Sequence, residues 1–415
     1  MEVEEIMVKK KKMEKLKIKS TMVEEGSTIK KERKILRKEK ERRYRPCTLN
    51  LQELDFTLRG FRVLRFFVYG VMAAPAAKKL NLITKMALQT AGNAKVCWYP
   101  GHMVKAMRDI QQRFKYVDLV LEIRDARIPL SSANDELGEF ISKKKHVIVM
   151  NKMDLASSNM IHNWKKYFEA QGQVPIYVNA HSKHSVHSMV VDIKERLAGA
   201  IQKEATLLVM IAGIPNVGKS VLTNALYQAT VQGRPKKAQV GPLPGVTKII
   251  SGFKIGQCPS IYLLDTPGVL IPNIKSVETG LKLAITGAVK DSVIGEDRLA
   301  RYLLALLNIR RPVFAKKLKP NARDYGHWEV KGCSPQERAV REAITSLMIN
   351  FDGDLEDEDA MTELIDNQMY ELRKTFRVPQ SDGYEGYNKV ARRLLQFYRG
   401  GKLGSYVWDI LPEGA

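Results

Sequence analysis

The 415-residue sequence has few cysteines and no long apolar run, and both features exclude classes of protein. The four cysteines, which are far apart and form no CxxC pair, are Cys47, Cys97, Cys258 and Cys333. Neither a disulfide framework nor a zinc ribbon is therefore expected, and a reducing compartment fits this composition. The most apolar segment, Val63–Ala77, contains Arg65 and is shorter than the about 18 residues that a transmembrane helix needs. We expect no transmembrane span.

Acidic residues are outnumbered by basic ones, 45 against 68, which gives a net charge of +23. This charge favours a polyanionic partner, although a generally basic soluble protein is the alternative. The hydrophobic fraction of 44% and the charged fraction of 27% exclude wholesale disorder. Together with the length, this composition predicts two or three domains.

The N-terminal part of the chain differs from the rest in composition. Its first 45 residues contain 17 basic and nine acidic residues, too polar a mixture to bury a core. Residues 1–92 are therefore predicted to be a basic, largely disordered extension. Within it, Arg59, Arg62 and Arg65 recur every three residues among apolar ones, which predicts an organelle-targeting helix or, equally, a surface helix docked on the body.

Short apolar runs alternate with helix-length segments over residues 93–275. The runs are Val117–Ile123, His146–Met150, Ile176–Val178, Leu207–Ala212 and Ile261–Leu264. Buried parallel strands alternating with helices predict a doubly wound α/β domain with a mostly parallel sheet. Helical periodicity replaces the strand pattern afterwards, so residues 276–415 are predicted to form a smaller all-α domain.

The strongest motif is GIPNVGKS, which satisfies the GxxxxGK[ST] pattern directly after the predicted strand Leu207–Ala212. Its glycines allow backbone N–H groups to point at phosphate oxygens, and the following helix N-terminus adds a positive dipole end. Lys219 is predicted to reach the β- and γ-phosphates and act in catalysis, and Ser220 to bind Mg²⁺. The predicted phosphate-binding residues are Gly213, Asn216, Val217, Gly218, Lys219, Ser220 and Val221.

The sequence NKMD at residues 151–154 predicts specificity for guanine. In an NKxD motif the carboxylate, here of Asp154, accepts hydrogen bonds from guanine N1–H and the exocyclic N2. Adenine lacks this pair of donors, and an unpaired buried acceptor costs about 1–3 kcal/mol or more. The predicted base-contacting residues are Asn151, Lys152, Met153, Asp154, Asn179 and Ala180.

The sequence DTPG at residues 265–268 follows the last predicted strand, which is the context of a DxxG motif. Asp265 is predicted to reach Mg²⁺ through water, and the Gly268 N–H to contact the γ-phosphate. Thr247, between the two phosphate motifs, is the candidate switch threonine on Mg²⁺.

The order of these motifs is unusual, because the guanine motif precedes the P-loop, whereas most GTPases place it after DxxG. The same sheet can form if the chain is circularly permuted. The switch segment after Gly268 then leads directly into the C-terminal domain, so that a γ-phosphate-dependent movement would act on that domain.

The permuted order and four segments resemble the circularly permuted ribosome-assembly GTPases, and within them the mitochondrial ribosome-associated GTPase 1 family. The segments are Trp98–Ala106 (WYPGHMVKA), Asp125–Pro129 (DARIP), Ser276–Ala284 (SVETGLKLA) and Gly400–Ser405 (GGKLGS). The resemblance covers about residues 97–409.

This resemblance implies hydrolysis of GTP to GDP and phosphate during assembly of the mitochondrial large ribosomal subunit, with that subunit and its rRNA as partners. It also implies a location on the matrix side of the inner membrane, by peripheral association. Two alternatives stay open: a nucleotide-regulated RNA-binding scaffold with negligible turnover, and a related assembly GTPase of the cytosol, nucleolus or a plastid.

Val269 occupies the position after DxxG where a Ras-like enzyme has the glutamine that orients the attacking water. By the family resemblance, His102 is the candidate for this role, the alternative being a structural histidine. Asn216 matches a position that helps to hold a K⁺ ion beside the phosphates in related GTPases. Its alternative role is to brace the loop.

The C-terminal part contains basic residues with aromatic residues among them. They are Arg310, Arg311, Lys316, Lys317, Lys319, Arg392, Arg393, Arg399 and Lys402, with Tyr387, Phe397 and Tyr398. Basic groups can neutralise RNA phosphates and aromatic rings can stack on unpaired bases. A solvated helix face with core aromatics explains the same residues equally well.

Overall fold

The computed structural model describes residues 101–134, 144–201, 205–230, 251–257, 260–269, 274, 276–310 and 334–412. The predicted extension over residues 1–92 lies outside this part of the chain, as do Thr247 and the basic residues between 311 and 319. These predictions therefore stay untested.

The described residues contain a six-stranded sheet that is parallel except at one edge. Its strands are β1 (Leu119–Asp125), β2 (His146–Asn151), β3 (Ile176–Val178), β4 (Thr206–Ala212), β5 (Ser251–Gln257) and β6 (Ser260–Asp265). The spatial order is β3-β2-β1-β4-β6-β5, with β5 antiparallel to β6. The predicted doubly wound sheet is confirmed, and each predicted run forms a strand.

Strand β5 was not predicted, and its residues show why. Phe253 and Ile255 are buried while Gly252 and Lys254 are exposed, so the strand alternates and is covered on one face only. The interior strands are instead continuous apolar runs because helices cover both faces of a parallel sheet. A short edge strand that carries glycines lacks this signal.

The helices of the described chain flank this sheet and then form the C-terminal region. They are α1 (Gly101–Phe114), α2 (Ser158–Ala170), α3 (Lys183–Ile201), α4 (Lys219–Thr230), α5 (Val277–Ile285), α6 (Asp291–Ile294), α7 (Glu296–Ile309), α8 (Pro335–Ile349), α9 (Glu358–Thr375) and α10 (Gly383–Arg399). The described residues after Ser276 contain no strand, as predicted. None of the described helices combines the length and the apolarity needed to cross a membrane.

Capping residues stabilise the N-termini of two C-terminal helices. The Ser276 hydroxyl accepts the Thr279 N–H at 3.1 Å and caps α5. At α8, Ser334 and Glu337 form a reciprocal capping box in front of a proline at the first helical position. Such caps satisfy N–H groups that have no partner inside the helix.

After α10 the chain returns to the sheet. Val407 is fully buried in an apolar cluster with Trp164 and Phe168 of α2 and with Met150 of β2. Burying side chains of this size contributes about 1.5–3 kcal/mol each. The C-terminal tail is thus packed against the sheet beside the end of β2.

Several basic and aromatic residues of α10 make intramolecular contacts. Arg392 pairs with Glu296 and Glu385, and Arg399 pairs with Asp291. Tyr398 is buried, so its ring is inaccessible to a nucleic-acid base. Arg392 and Arg393 are exposed, so the choice between an RNA-binding face and a solvated helix face with core aromatics stays a prediction.

Candidate nucleotide-binding site

The predicted motifs converge at the carboxyl edge of the parallel strands. Asp125 and Asn151 end the neighbouring strands β1 and β2, where they pair in register. Asp265 ends β6, next to β4, and the P-loop begins at Gly213 immediately after β4. The sheet order reverses between β1 and β4, which is where ligands bind in open α/β sheets.

Two glycines allow the P-loop to curl closely over the sheet. Gly213 has φ +148°, and a Cβ there would lie 2.4 Å from the Ile123 carbonyl oxygen. Gly218 has φ +94°, and its Cβ would lie 2.3 Å from Asn151 Nδ2. Both positions therefore exclude larger residues by conformation and by space. Helix α4 starts at Lys219, so its N-terminus and positive dipole end adjoin the loop.

Lys219 lies between the P-loop and the DTPG segment. Its Nζ donates a 2.7 Å hydrogen bond to the Ile214 carbonyl, and a Cβ on Gly268 would lie 3.0 Å from the same Nζ. Burial lowers the pKa of Lys219 to about 8, although nearby Asp265 favours the charged form. A phosphate group beside this amine would stabilise its protonated state.

Asp265 and Ser220 provide a donor set that suits Mg²⁺. The Ser220 hydroxyl donates to Asp265 Oδ2 at 2.8 Å. Asp265 is fully buried, and no donor among the described residues bonds to its other oxygen, Oδ1. Burial raises the pKa of Asp265, while the Ser220 hydrogen bond and Lys219 oppose this shift. A hydroxyl beside a carboxylate oxygen without a donor fits a hard cation that prefers oxygen ligands.

The DTPG segment is held directly against the P-loop. A Cβ on Gly268 would lie 2.6 Å from Pro215 Cα, and the Val269 N–H donates to the Gly213 carbonyl at 3.3 Å. The carbonyl of Val269 accepts from Asn134 Nδ2 at 2.9 Å. The Val269 side chain is fully buried. Val269 therefore cannot orient a water molecule, in agreement with its apolar chemistry.

Two hydrogen bonds join the guanine motif to the P-loop. Asn151 Nδ2 donates to the Val217 carbonyl at 2.8 Å, and Lys152 Nζ donates to the Asn216 carbonyl at 2.6 Å. Asn151 Oδ1 accepts the Ala180 N–H at 3.3 Å, which adds the second base-contacting loop. These bonds place NKMD and GIPNVGKS in one site although 58 residues separate Asp154 from Gly213.

The remaining base-contacting candidates lie on the adjoining loops. Asp154 is exposed in a short 3₁₀ turn, Met153–Leu155, that follows β2. Asn179 follows β3, and its Oδ1 accepts the His181 N–H at 2.9 Å. The exposed carboxylate of Asp154 is therefore accessible to a ligand.

The structure describes His102 and Asn216 to different extents. His102 is the second residue of α1, but its side chain lies outside the described part of the structure. Asn216 has φ 57°, and its Nδ2 donates at 2.7 Å to the carbonyl of Gly287, just after α5. Asn216 therefore braces the P-loop against the C-terminal region, and its K⁺ role stays a prediction.

Sequence reasoning assigned no role to Asp125 and Arg127, apart from the family resemblance of their segment. In the structure Asp125 Oδ2 accepts from Lys152 Nζ at 3.0 Å and from Arg127 NH2 at 2.7 Å. Asp125 is a carboxylate just after the end of a predicted strand, and this position in the sequence could have marked it as a candidate site residue.

Comparisons with known proteins agree with this geometry. Residues 208–327 match a family model described as 50S ribosome-binding GTPase. A mouse protein named Mitochondrial ribosome-associated GTPase 1 is 39% identical over 76% of this chain and 91% of its own length. The chain belongs to the circularly permuted ribosome-associated GTPases. Members of this family hydrolyse GTP. In the sheet of this GTPase, the strand that carries the guanine motif precedes the P-loop strand along the chain, which is the permuted order.

Two further relatives extend the GTPase family to plants and bacteria. A protein of Arabidopsis thaliana named Short integuments 2, mitochondrial, is 44% identical and covers 83% of the GTPase and 96% of itself. A Bacillus cereus protein named Ribosome biogenesis GTPase A is 36% identical and covers 76% of the GTPase and 94% of itself. The family generally uses Mg²⁺, for which Ser220 and Asp265 provide suitable oxygens.

Replacing Asp154 with asparagine should change the base preference of the GTPase. The neutral amide has a single acceptor oxygen and can no longer accept from both guanine N1–H and N2, but its NH₂ group can donate to the 2-oxo group of xanthine. A hydrogen bond to a charged group contributes about 1.5–3 kcal/mol, so GDP affinity should fall at least about tenfold in Asp154→Asn while XDP affinity rises. Titration calorimetry with both nucleotides measures this change. Glu363→Gln, on the exposed face of α9, is the matched control, and unchanged GDP affinity in Asp154→Asn would refute the assignment.

Proposed function

We propose that this GTPase is an assembly factor for the mitochondrial large ribosomal subunit and couples its nucleotide state to binding of that subunit and its rRNA. One structural observation carries the coupling: the P-loop side chain of Asn216 bonds to Gly287 at the end of α5. Helix α5 begins eight residues after Val269, in the chain that continues from the DTPG segment. The phosphate end of the site is thus connected to the C-terminal region both through the chain and through a hydrogen bond.

The names of the relatives support the proposed compartment and ribosomal partner. The mouse and Arabidopsis proteins are named mitochondrial, and the family model is described as binding the 50S ribosome, a large subunit. The net charge of +23 favours a polyanionic partner such as rRNA. We place the GTPase in the mitochondrion, on the matrix side of the inner membrane and in peripheral association with it.

The residues of the site have distinct roles in this proposal. Lys219 binds the β- and γ-phosphates, and the Gly268 N–H contacts the γ-phosphate. Ser220, Asp265 and Thr247 would hold Mg²⁺, and the ion would neutralise charge on the phosphates. Loss of the γ-phosphate removes its contact with the Gly268 N–H. The DTPG segment then moves, and this movement displaces α5, which follows it in the chain.

Hydrolysis needs a group that positions the attacking water, because Val269 is buried. We assign this role to His102, near the start of α1. A K⁺ ion held near Asn216 would add positive charge beside the phosphates, as an arginine finger does in other GTPases. The buried Val269 also favours the second candidate function, a nucleotide-regulated RNA-binding scaffold with negligible turnover.

Turnover of the wild type distinguishes these two functions, and replacing His102 with alanine tests the catalytic role of this residue. Misplacing a reacting group costs about 100-fold in rate, so His102→Ala should lower kcat at least about 100-fold with GDP affinity unchanged. Phosphate release is measured at saturating GTP with and without purified large subunits. His181→Ala, at an exposed histidine, is the control. An unchanged kcat would exclude His102 from catalysis, and negligible wild-type turnover with subunits present would support the scaffold.

Co-sedimentation with large ribosomal subunits tests the coupling itself. The wild-type GTPase should sediment with the subunits in the presence of a non-hydrolysable GTP analogue and be released with GDP. Lys219→Ala, which removes the phosphate-binding amine, should abolish this difference, whereas Lys183→Ala at an exposed lysine should retain it. Equal wild-type sedimentation with either nucleotide and with none would contradict the proposal.

A further inference from the structure

A buried cluster of charges lies behind the guanine motif. Asp125 Oδ1 accepts two hydrogen bonds from Arg127, one from the backbone N–H at 3.0 Å and one from the side-chain Nε at 2.9 Å. Its other oxygen, Oδ2, accepts from Arg127 Nη2 and from Lys152 Nζ. Asp125 and Arg127 are 2% and 1% exposed. Burial opposes ionisation of Asp125, but the two cations hold its pKa well below the usual range. Removing one member of such a cluster leaves a buried charge without its partner.

This cluster fixes the conformation of Lys152. The residue has φ 60° and ψ 35°, in the left-handed region that a lysine rarely occupies. Its Nζ is bonded at the same time to Asp125 and to the Asn216 carbonyl of the P-loop. Lys152 directly precedes the turn Met153–Leu155, so the bond to Asp125 also determines where this turn and Asp154 lie.

The Arg127 guanidinium also contacts the C-terminal region. Its Cζ lies 5.3 Å from the centre of the buried Tyr398 ring on α10. The Tyr398 hydroxyl accepts the Trp408 indole N–H at 2.6 Å, and the Trp408 backbone N–H donates to the Arg127 carbonyl at 2.8 Å. Arg127 is therefore held between the guanine motif and the C-terminal tail.

The same tail bonds directly to the guanine-binding turn. The Tyr406 N–H donates to the Leu155 carbonyl at 3.1 Å, and the Ser405 hydroxyl donates to the Asp154 carbonyl at 3.4 Å. A Cβ on Gly401 would lie 2.6 Å from Leu155 Cδ2, so the Gly401 backbone packs closely against the Leu155 side chain. Two independent routes, through Arg127 and through the backbone, thus connect the tail with the turn that carries Asp154.

We propose that Asp125 and Arg127 are positioning residues for guanine recognition and that Tyr398 and Trp408 complete this support from the C-terminal region. The inference rests on the assignment of residues 151–154 to guanine in the proposed function. Nucleotide affinity and base selectivity then depend on the docked state of the C-terminal tail. Because such coupling is reciprocal, a partner that displaces the tail weakens guanine binding.

The experiment compares the affinities of GDP and IDP, which differ by the exocyclic 2-amino group that Asp154 is assigned to bind. A misplaced turn reduces this discrimination, whereas general destabilisation of the fold lowers both affinities together. The test variants are Asp125→Asn, Tyr398→Phe and Trp408→Phe. Tyr384→Phe is the matched control, because this residue lies on α10 like Tyr398 but is 73% exposed.

The wild type should bind GDP at least about tenfold more tightly than IDP, as expected for one hydrogen bond to a charged group. We expect the ratio to fall by about threefold or more in Asp125→Asn, Tyr398→Phe and Trp408→Phe and to stay unchanged in Tyr384→Phe. If Asp125→Asn does not fold, the two C-terminal variants still decide the question. Thermal unfolding measured in parallel shows that the compared proteins are folded.

Two negative results have different meanings. Wild-type discrimination that persists in folded Tyr398→Phe and Trp408→Phe would overturn the positioning role and leave the guanine assignment intact. A wild type that does not discriminate GDP from IDP would overturn the guanine assignment, and the positioning role with it.

Discussion

Two hydrogen bonds from the guanine motif to P-loop carbonyls are the constraint on which the site depends. Asn151 bonds to Val217 and Lys152 bonds to Asn216, which sets the distance between base-binding and phosphate-binding residues. Their donors and acceptors come from segments more than 60 residues apart, so only the folded sheet brings them together. The parallel pairing of β1 with both β2 and β4 provides this arrangement, because all three strands end at the same edge.

Circular permutation changes the connections of this site but leaves its residues in one place. The base motifs on β2 and β3 precede the P-loop, so the DTPG segment is followed by α5 instead of by another strand of the sheet. The C-terminal region then contacts both ends of the site. It reaches the phosphate end through Gly287 and the base end through the tail that includes Tyr406 and Trp408. A nucleotide-dependent change at either end therefore has a physical route to the same group of helices.

Local patterns were sufficient to predict the five parallel strands and the nucleotide motifs, because both depend on residues close in sequence. Continuous apolar runs identified the interior strands, whereas the edge strand β5 alternates and contains glycines, so it gave no such signal. The contact of Arg127 with Tyr398 depends on residues 271 positions apart, and no local pattern reports it. The same limit applies to α10, where only the tertiary contacts show that Tyr398 belongs to the core.

A crystal structure of the GTPase with GDP and Mg²⁺ would show whether the separated motifs bind the same nucleotide. We expect one nucleotide across the carboxyl edge of the sheet, with guanine hydrogen-bonded to the Asp154 carboxylate and the β-phosphate bonded to Lys219 Nζ. A nucleotide that engages only one of these groups, or that binds at another place in the fold, would contradict the claim that the permuted segments form a single site.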